Sequence, residues 1–484
     1  MKQQADIKVN FIMNCLLTLS SFLFPLISFR YVSRILLPEG TGKVSLAVAV
    51  ISYFTMFSQL GIPTYGIRAC ATVRDDREKL TRTAHELLIW NLVLSAVAYA
   101  ALFLAIAFVP KLQQERILYL ICSISILLNA LGMEWLYKGL ELYTFITIRS
   151  ILTKAFSIVA IFLLIHEQKD CVMYGAIFTG ASCANYIFNL LRVHRYIELT
   201  PVKPYDFRRH LRPMLVFFAM SCAVTVYTNL DMVMLGFMTN DAEVGNYHAG
   251  VMVKNILVAT VTSLAAVLLP RASYYVEKGQ MEDFREISRK ALNFAVLSAM
   301  PLAVFFALFA DKCIYFLAGP AFEGAILPLR ILMPAIVMIA VSNLTGIQML
   351  VPLGKEKVVL NSEIAGVITD LILNALLIPR YGAAGAAFGT MAAEIVVLAV
   401  QCRSLAGELN YYLADIVWWK ILIGCVAGAA GSSLAYLLPV GDFLIILWGG
   451  CLFLGIYLFL MLTLHENMTM VVYNILKNRL SSQK

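Results

Sequence analysis

The side chains able to do chemistry in this sequence are few, and most of them interrupt long apolar runs. The cations are Arg30, Lys154 and Lys254 inside such runs and Arg68 just after one. The acids are Asp231, Asp370 and Glu394, and the amides worth notice are Asn14 and Asn374. An ionised group at membrane depth is costly and defaults to function or to pairing. A buried lysine without a partner loses its proton, so Lys154 and Lys254 each require a carboxylate, a phosphate or water. Lys254 follows Tyr247 by one heptad, on the same face of a helix. Asn10, Asn14, Thr18, Ser21, Pro25 and Ser28 recur at helical spacing, which predicts a polar stripe about five turns long, bent at Pro25. It faces either a wet cavity or a neighbouring helix that it hydrogen-bonds. Glu363, Asp370 and Asn374 sit at i, i+7 and i+11, again one face, expected to point inward as salt bridges or as contacts to substrate or ion. Glu134, Lys138 and Glu141 are spaced to pair locally, and Arg330 to snorkel.

No constellation for hydrolysis or redox chemistry accompanies them. H-E-x-x-H, G-x-S-x-G, the Walker lysine motif and the Rossmann glycines are all missing from the sequence. The ten cysteines are scattered, with no C-x-x-C, and read as small buried hydrophobes. No catalytic residue, metal site or cofactor is expected.

The elements that must position these groups are set by composition. The chain has 484 residues, 60% of them apolar and 14% charged, a net charge of +8 and a mean hydropathy of +0.79. That excludes a soluble domain and a disordered chain. Apolar segments fall at about 10–36, 43–67, 84–109, 116–138, 145–166, 171–193, 213–238, 245–270, 290–310, 328–351, 359–379, 383–405, 414–437 and 442–464. Each matches the roughly 20 residues needed to cross a bilayer core. The first, behind MKQQADIKVN, is expected to be an uncleaved span. With the N-terminus inside, 26 Lys and Arg residues fall on inward segments and 7 on outward ones. The positive-inside rule then places both termini in the cytoplasm. The three longest inward loops follow spans two, six and eight. They are expected either as short helices on an anionic leaflet, with Phe284 and Ile287 facing lipid, or as solvated linkers. Neither form implies nucleic acid.

The halves echo each other. Gly42 and Gly245, Pro63 and Pro270, and the glycine-rich starts YGAIFTG and GAAFGT recur 203 to 210 residues apart. The expected fold is an all-α polytopic membrane protein of about 14 transmembrane helices. Two pseudo-symmetric six-helix lobes, 1–200 and 201–410, are followed by two added helices and a tail, 411–484. Parallel repeats of this kind are a transporter architecture.

The stretch YVSRILLPEGTGKVSLAVAVISYFTMFSQLGIPTYGIRACATVRDDREKL resembles the polysaccharide flippases, the Wzx-type branch of the superfamily that includes the MATE exporters and the lipid II flippase MurJ. NLDMVMLGFMTNDAEVGNYHAGVMVK, LLPRASYYVEKGQMEDFREISRKAL and the run from FLAGPAFEGAILPLRILMPAI to LLIPRYGAAGAAFGTMAAE agree, so the resemblance spans nearly the whole chain. The family pattern S-R-x-L-G-P-E-G is met at Ser33, Arg34, Leu36, Pro38, Glu39 and Gly40, but Leu37 stands at its glycine, so a different loop backbone is expected there. Y-G-x-R is met at Tyr65, Gly66 and Arg68, and the cationic position of span eight at Lys254. The resemblance implies a cavity between two lobes that opens to one side at a time. It also implies an undecaprenyl-diphosphate-linked oligosaccharide as substrate, moved to the outer leaflet of a bacterial cytoplasmic membrane. Arg30, Arg68, Lys154 and Lys254 are then the candidates for the diphosphate. Asn14, Asp231, Asp370, Asn374 and Glu394 are candidates for a polar cavity or for coupling to H+ or Na+. The implied partners are that substrate, membrane lipids and glycan polymerase machinery, and the implied state is a monomer. A MATE-like drug exporter is the main alternative, but span one carries no acid. A major-facilitator carrier lacks its G-x-x-x-D-R signature here, and a glycan polymerase or ligase would carry a large outer loop.

Overall fold

A computed structural model describes residues 7–198, 200–202, 204–471 and 473–474. The described residues are helical throughout, with no strand. The helices are α1 (Ile7–Gln59), α2 (Ile62–Thr72), α3 (Arg77–Phe108), α4 (Pro110–Gln114), α5 (Arg116–Gly132), α6 (Glu134–Gly139), α7 (Tyr143–Leu164), α8 (Cys171–Arg192) and α9 (Arg208–Met238). They continue as α10 (Asp241–Glu277), α11 (Met281–Leu308), α12 (Ala310–Leu317), α13 (Ile326–Asn343), α14 (Glu356–Ser404), α15 (Leu409–Leu413), α16 (Trp418–Ser432) and α17 (Asp442–Thr463).

Among the described residues, ten helices are long and apolar enough to cross a membrane, eleven when the bent α10 is counted as one span. The 17 residues of α5 form a shorter apolar helix. Two of the long helices are too long to be single spans. At 1.5 Å per residue α1 would reach about 80 Å, more than twice the hydrocarbon core. It breaks at Leu37 (φ 58°, ψ −179°), and α14 breaks at Gly382 (φ 52°, ψ −130°). Dividing both helices at these breaks and adding α5 gives the fourteen spans expected from the sequence.

Backbone contacts divide the chain into two units, Met1–Gly245 and Asn246–Lys484. In the first, α1 packs against α3, α5, α7, α8 and α9, so the polar stripe lies on the most connected helix of the unit. In the second, α13 packs against α11 and α14, and α16 against α17. The two repeat glycines meet inside the first unit. A Cβ on Gly42 would collide with the Asp241 carbonyl, and one on Gly245 with the carbonyl of Pro38. Both positions therefore carry glycine because backbone approaches backbone there.

Three sequence expectations change. The helix runs on through Pro25, and the break comes twelve residues later at Leu37. The basic stretch after span eight forms the adjoining ends of α10 and α11 rather than a separate surface helix, and Phe284 is fully buried instead of facing lipid. Leu37, finally, keeps a glycine-type backbone. Its φ is positive and its ψ is extended, as a residue before proline requires. A side chain in that region costs about 1–3 kcal/mol. The strain outweighs the loss of backbone entropy that glycine brings, about 0.5–1 kcal/mol. Leu37→Gly should therefore raise the thermal unfolding midpoint of the purified protein. An unchanged or lower midpoint would show that the half-buried leucine side chain contributes more than its backbone costs.

Candidate functional site

Within the first unit, Lys154 on α7 points at the polar stripe of α1. Its Nζ donates to Ser20 Oγ and Ser21 Oγ, both at 3.0 Å. Thr147 on the same helix donates to the Met13 carbonyl at 3.0 Å, so the two helices meet along several turns. The stripe thus serves in part as interhelical glue, yet it solvates an ammonium group while doing so. Hydroxyl dipoles stabilise the charge without neutralising it. The stripe's Asn10 and Asn14 have side chains outside the described residues. Arg30 is exposed on α1, one turn before the exposed Arg34, whose Nη1 donates to the Arg30 carbonyl at 2.5 Å. The two guanidinium groups thus stand one turn apart, close to the break in α1. Asp231 is buried on α9.

The Tyr65-Gly66-x-Arg68 element divides its labour. Gly66 lies flat against the Trp135 ring, which a Cβ would approach to 2.9 Å. Tyr65 Oη is 2.8 Å from His210 Nδ1. Arg68 is exposed on α2.

That tyrosine leads to a cluster the sequence did not announce. Glu86 on α3 is fully buried at 0% exposure. Its carboxylate accepts from Arg209 Nη2 at 2.5 Å and Nε at 3.0 Å, from His210 Nε2 at 2.7 Å, from the Asp206 backbone N–H at 2.6 Å and from Arg82 Nε at 3.3 Å. With His210 donating from Nε2, its Nδ1 is left to accept from Tyr65. The network clamps the segment leading into α9 onto α3. Its only trace in the sequence is the i, i+4 pair Arg82 and Glu86, because the remaining partners lie at least 120 residues away.

Within the second unit, Lys254 is half-buried midway along α10. Among the described residues it makes no hydrogen bond or ion pair. Tyr247, one heptad earlier, is buried, with its hydroxyl 2.9 Å from Thr390 Oγ1 on α14. The break at Gly382 folds the two halves of α14 together. Gly385 touches the Leu377 backbone, and Gly389 sits against both Asp370 Oδ1 and Asn374 Oδ1. Two side-chain oxygens one turn apart therefore converge on the glycine. Asp370 (3% exposed), Asn374 (0%) and Glu394 (5%) are all buried on α14, whereas Glu363 is only half-buried. The inward face foreseen for the three α14 residues thus holds for two of them. Such a group of buried oxygens suits a proton or a hard cation. Among the described residues, no three His, Cys, Asp or Glu side chains gather as a metal site.

Each unit thus holds a lysine inside a span, and the second also holds buried oxygens on a broken helix. Residues 7–276 match the family model described as "Polysaccharide biosynthesis protein", and residues 217–376 match the model "MatE". The first match covers more than half of the chain. The chain belongs to the polysaccharide biosynthesis protein family. It is 24% identical over 384 residues to the "Putative O-antigen transporter" of Escherichia coli (strain K12), covering 79% of this chain and 92% of that protein. It is 25% identical to the protein of the same name from Shigella dysenteriae, covering 82% of this chain and 100% of the relative. In fold, this polysaccharide biosynthesis protein matches the lipid II flippase MurJ in an inward closed conformation. The TM-score is 0.70 and the identity 15%, over 94% of this chain and 99% of the other. An inward-facing multidrug resistance MATE family transporter of the MOP superfamily matches with a TM-score of 0.63 and 16% identity, over 81% and 94%. The Wzx-type resemblance and the all-α transporter fold expected from the sequence are both met.

Magnitudes separate the ion pairs of the Glu86 cluster. Removing the buried carboxylate strands Arg209 and His210, a loss of about 2–3 kcal/mol after allowing for the half-exposed Arg209. Removing Arg82 at the edge costs about 0.5 kcal/mol. In thermal unfolding, Glu86→Gln should lower the midpoint by several degrees and Arg82→Gln by about one. Equal effects would show that the cluster is a surface network and not a clamp.

Proposed function

We propose that this protein flips an undecaprenyl-diphosphate-linked oligosaccharide from the cytoplasmic to the outer leaflet of a bacterial cytoplasmic membrane, with both termini in the cytoplasm. The observation that carries this reading is the state of the two lysines inside the spans. Lys154 is held by hydroxyls, and Lys254 has no ion pair among the described residues. A cation kept charged at that depth without a resident anion is suited to an anion that comes and goes. A diphosphate carries the needed charge, and the sugars attached to it suit a polar cavity. The names borne by the relatives, O-antigen transporter and lipid II flippase, support the same substrate class. Arg30 joins the lysines as a phosphate contact nearer the break in α1. Alternating access, with the cavity open to one side at a time, is the mode of movement consistent with two parallel repeats.

Asp370, Asn374 and Glu394 are the groups we assign to coupling with H+ or Na+. Protonation or ion binding there changes the charge inside the second unit, and with it the hold on an anionic substrate. A cationic-drug exporter would require the reverse arrangement, with acids lining the first span, and span one has none.

Transport and abundance are best measured together, by complementation of a flippase-deficient strain. Lys154→Ala and Lys254→Ala should each reduce glycan export at least tenfold at unchanged membrane levels, since each removes about 1.4 kcal/mol or more of charge-assisted binding. Lys254→Arg should keep part of the export, because charge matters more than shape for a mobile polyanion. Full export by both alanine variants would overturn the reading.

A further inference from the structure

A second group of cations gathers around Phe145, from the start of α7 and the end of α8. Arg149 on α7 is only 5% exposed. Its Nη1 donates to the Asn185 carbonyl at 2.5 Å and its Nη2 contacts Glu134 at 3.3 Å. Glu134 is also paired with Lys138 at 3.0 Å. Arg192, the last residue of α8, stacks its guanidinium 4.4 Å from the centroid of Phe145, and Arg149 approaches the same ring to 5.5 Å. Arg192 has no carboxylate and no hydrogen bond among the described residues. Two cations therefore share one carboxylate, and Arg192, the closer of the two arginines on the Phe145 ring, has none.

The polar groups around them are unmatched in the same way. Asn189, on α8 one turn before Arg192, is fully buried. Neither its amide nitrogen nor its side-chain oxygen has a partner among the described residues. Arg149 Nε, Arg192 Nε and Trp135 Nε1 are unmatched donors too. The backbone beside them is fixed, because Tyr137 Oη donates to the Asn189 carbonyl at 2.5 Å and its ring packs 5.5 Å from Phe145. The four unmatched donors outnumber the two unmatched acceptors beside them, Asn189 Oδ1 and Asn185 Oδ1; buried donors are almost always satisfied, so the excess calls for a further acceptor. Stacking on Phe145 costs Arg192 its torsional freedom in advance, and its terminal nitrogens make no hydrogen bond among the described residues, so they can take up bidentate phosphate contacts.

We propose that Arg149, Arg192 and Asn189 form a binding site for a phosphate group carried on a lipid. The site is distinct from the lysines inside the spans. It lies at the end of α8 that leads into the basic segment RVHRYIELTPVKPYDFRRHLRP, at the level expected for headgroups of the cytoplasmic leaflet. The phosphate belongs either to an anionic phospholipid of the bilayer or to the lipid diphosphate before it enters the cavity. Both present the same acceptor oxygens, and experiment separates them.

The test is retention of added lipid by the full-length protein in neutral detergent, read by native mass spectrometry. Dioleoylphosphatidylglycerol and undecaprenyl diphosphate are the two probes. Arg192→Gln removes the half-exposed guanidinium without touching the Glu134 pair. Arg195→Gln removes the same charge from an exposed position three residues on. Arg192→Gln should weaken retention of at least one probe about tenfold, and Arg195→Gln less than twofold. Loss confined to phosphatidylglycerol identifies a bilayer headgroup site, and loss confined to undecaprenyl diphosphate a substrate landing site. Unchanged retention of both probes by Arg192→Gln, or an equal loss from Arg195→Gln, overturns the proposal. Thermal unfolding of the same samples verifies that each variant is folded. Binding here requires no transport, so failure of this site would leave the flippase reading standing.

Discussion

An ammonium group in the middle of a membrane has to be charged against something. Leaving it bare costs several kcal/mol, and the usual escapes are a carboxylate partner, a water-filled cavity or loss of the proton. In the first unit Lys154 is met by two serine hydroxyls, which lower the cost without cancelling the charge. In the second, Lys254 is left without an ion pair among the described residues. The proposed recognition of an anionic substrate rests on that imbalance. Where the protein needs a cation neutralised for packing it does so thoroughly, as at Glu86, whose carboxylate receives Arg209, His210 and Arg82 together. The Glu86 clamp and the span lysines thus differ in whether a carboxylate meets the cation.

The fold sets the stage through breaks in long helices and contacts that only glycine permits. The break at Leu37 turns α1 into two spans joined by a tight corner, and Gly42 then lies against the backbone of Asp241. The break at Gly382 doubles α14 back, and Gly389 brings Asp370 and Asn374 oxygens to one point. At both corners a glycine, Gly42 or Gly385, lets backbone approach backbone. Breaks in spans are tolerated where neighbouring helices satisfy the freed backbone. They are also the places where ion and substrate sites are commonly built in membrane transporters.

Much of this was legible in the sequence because a membrane span announces its exceptions. Lys154, Lys254, Asp370 and Asn374 each interrupt an apolar run, and the hydroxyl stripe of α1 shows at helical period. The span count also followed from hydropathy and from the sidedness of Lys and Arg. What could not be read was pairing over long separations. The partners Lys154 and Ser20 are 134 residues apart, and His210 and Glu86 are 124 apart. No local pattern reports such contacts. In the sequence Arg192 is an ordinary basic residue at the end of a span, and only the fold places Phe145 beneath it. Leu37 misled in the opposite direction. Its side chain argued for an ordinary backbone, while the proline that follows and the corner required there imposed a positive φ.

The central claim is that the lysines inside the spans exist to meet the diphosphate. The most direct measurement is the affinity of the purified protein for an undecaprenyl-diphosphate-linked oligosaccharide. The reference is the same glycan on an uncharged lipid linkage, compared in the native chain and in a Lys154→Ala, Lys254→Ala double variant. The native protein should prefer the diphosphate by at least tenfold, and the double variant should lose the preference while still binding the glycan. An equal preference in both proteins would contradict the claim.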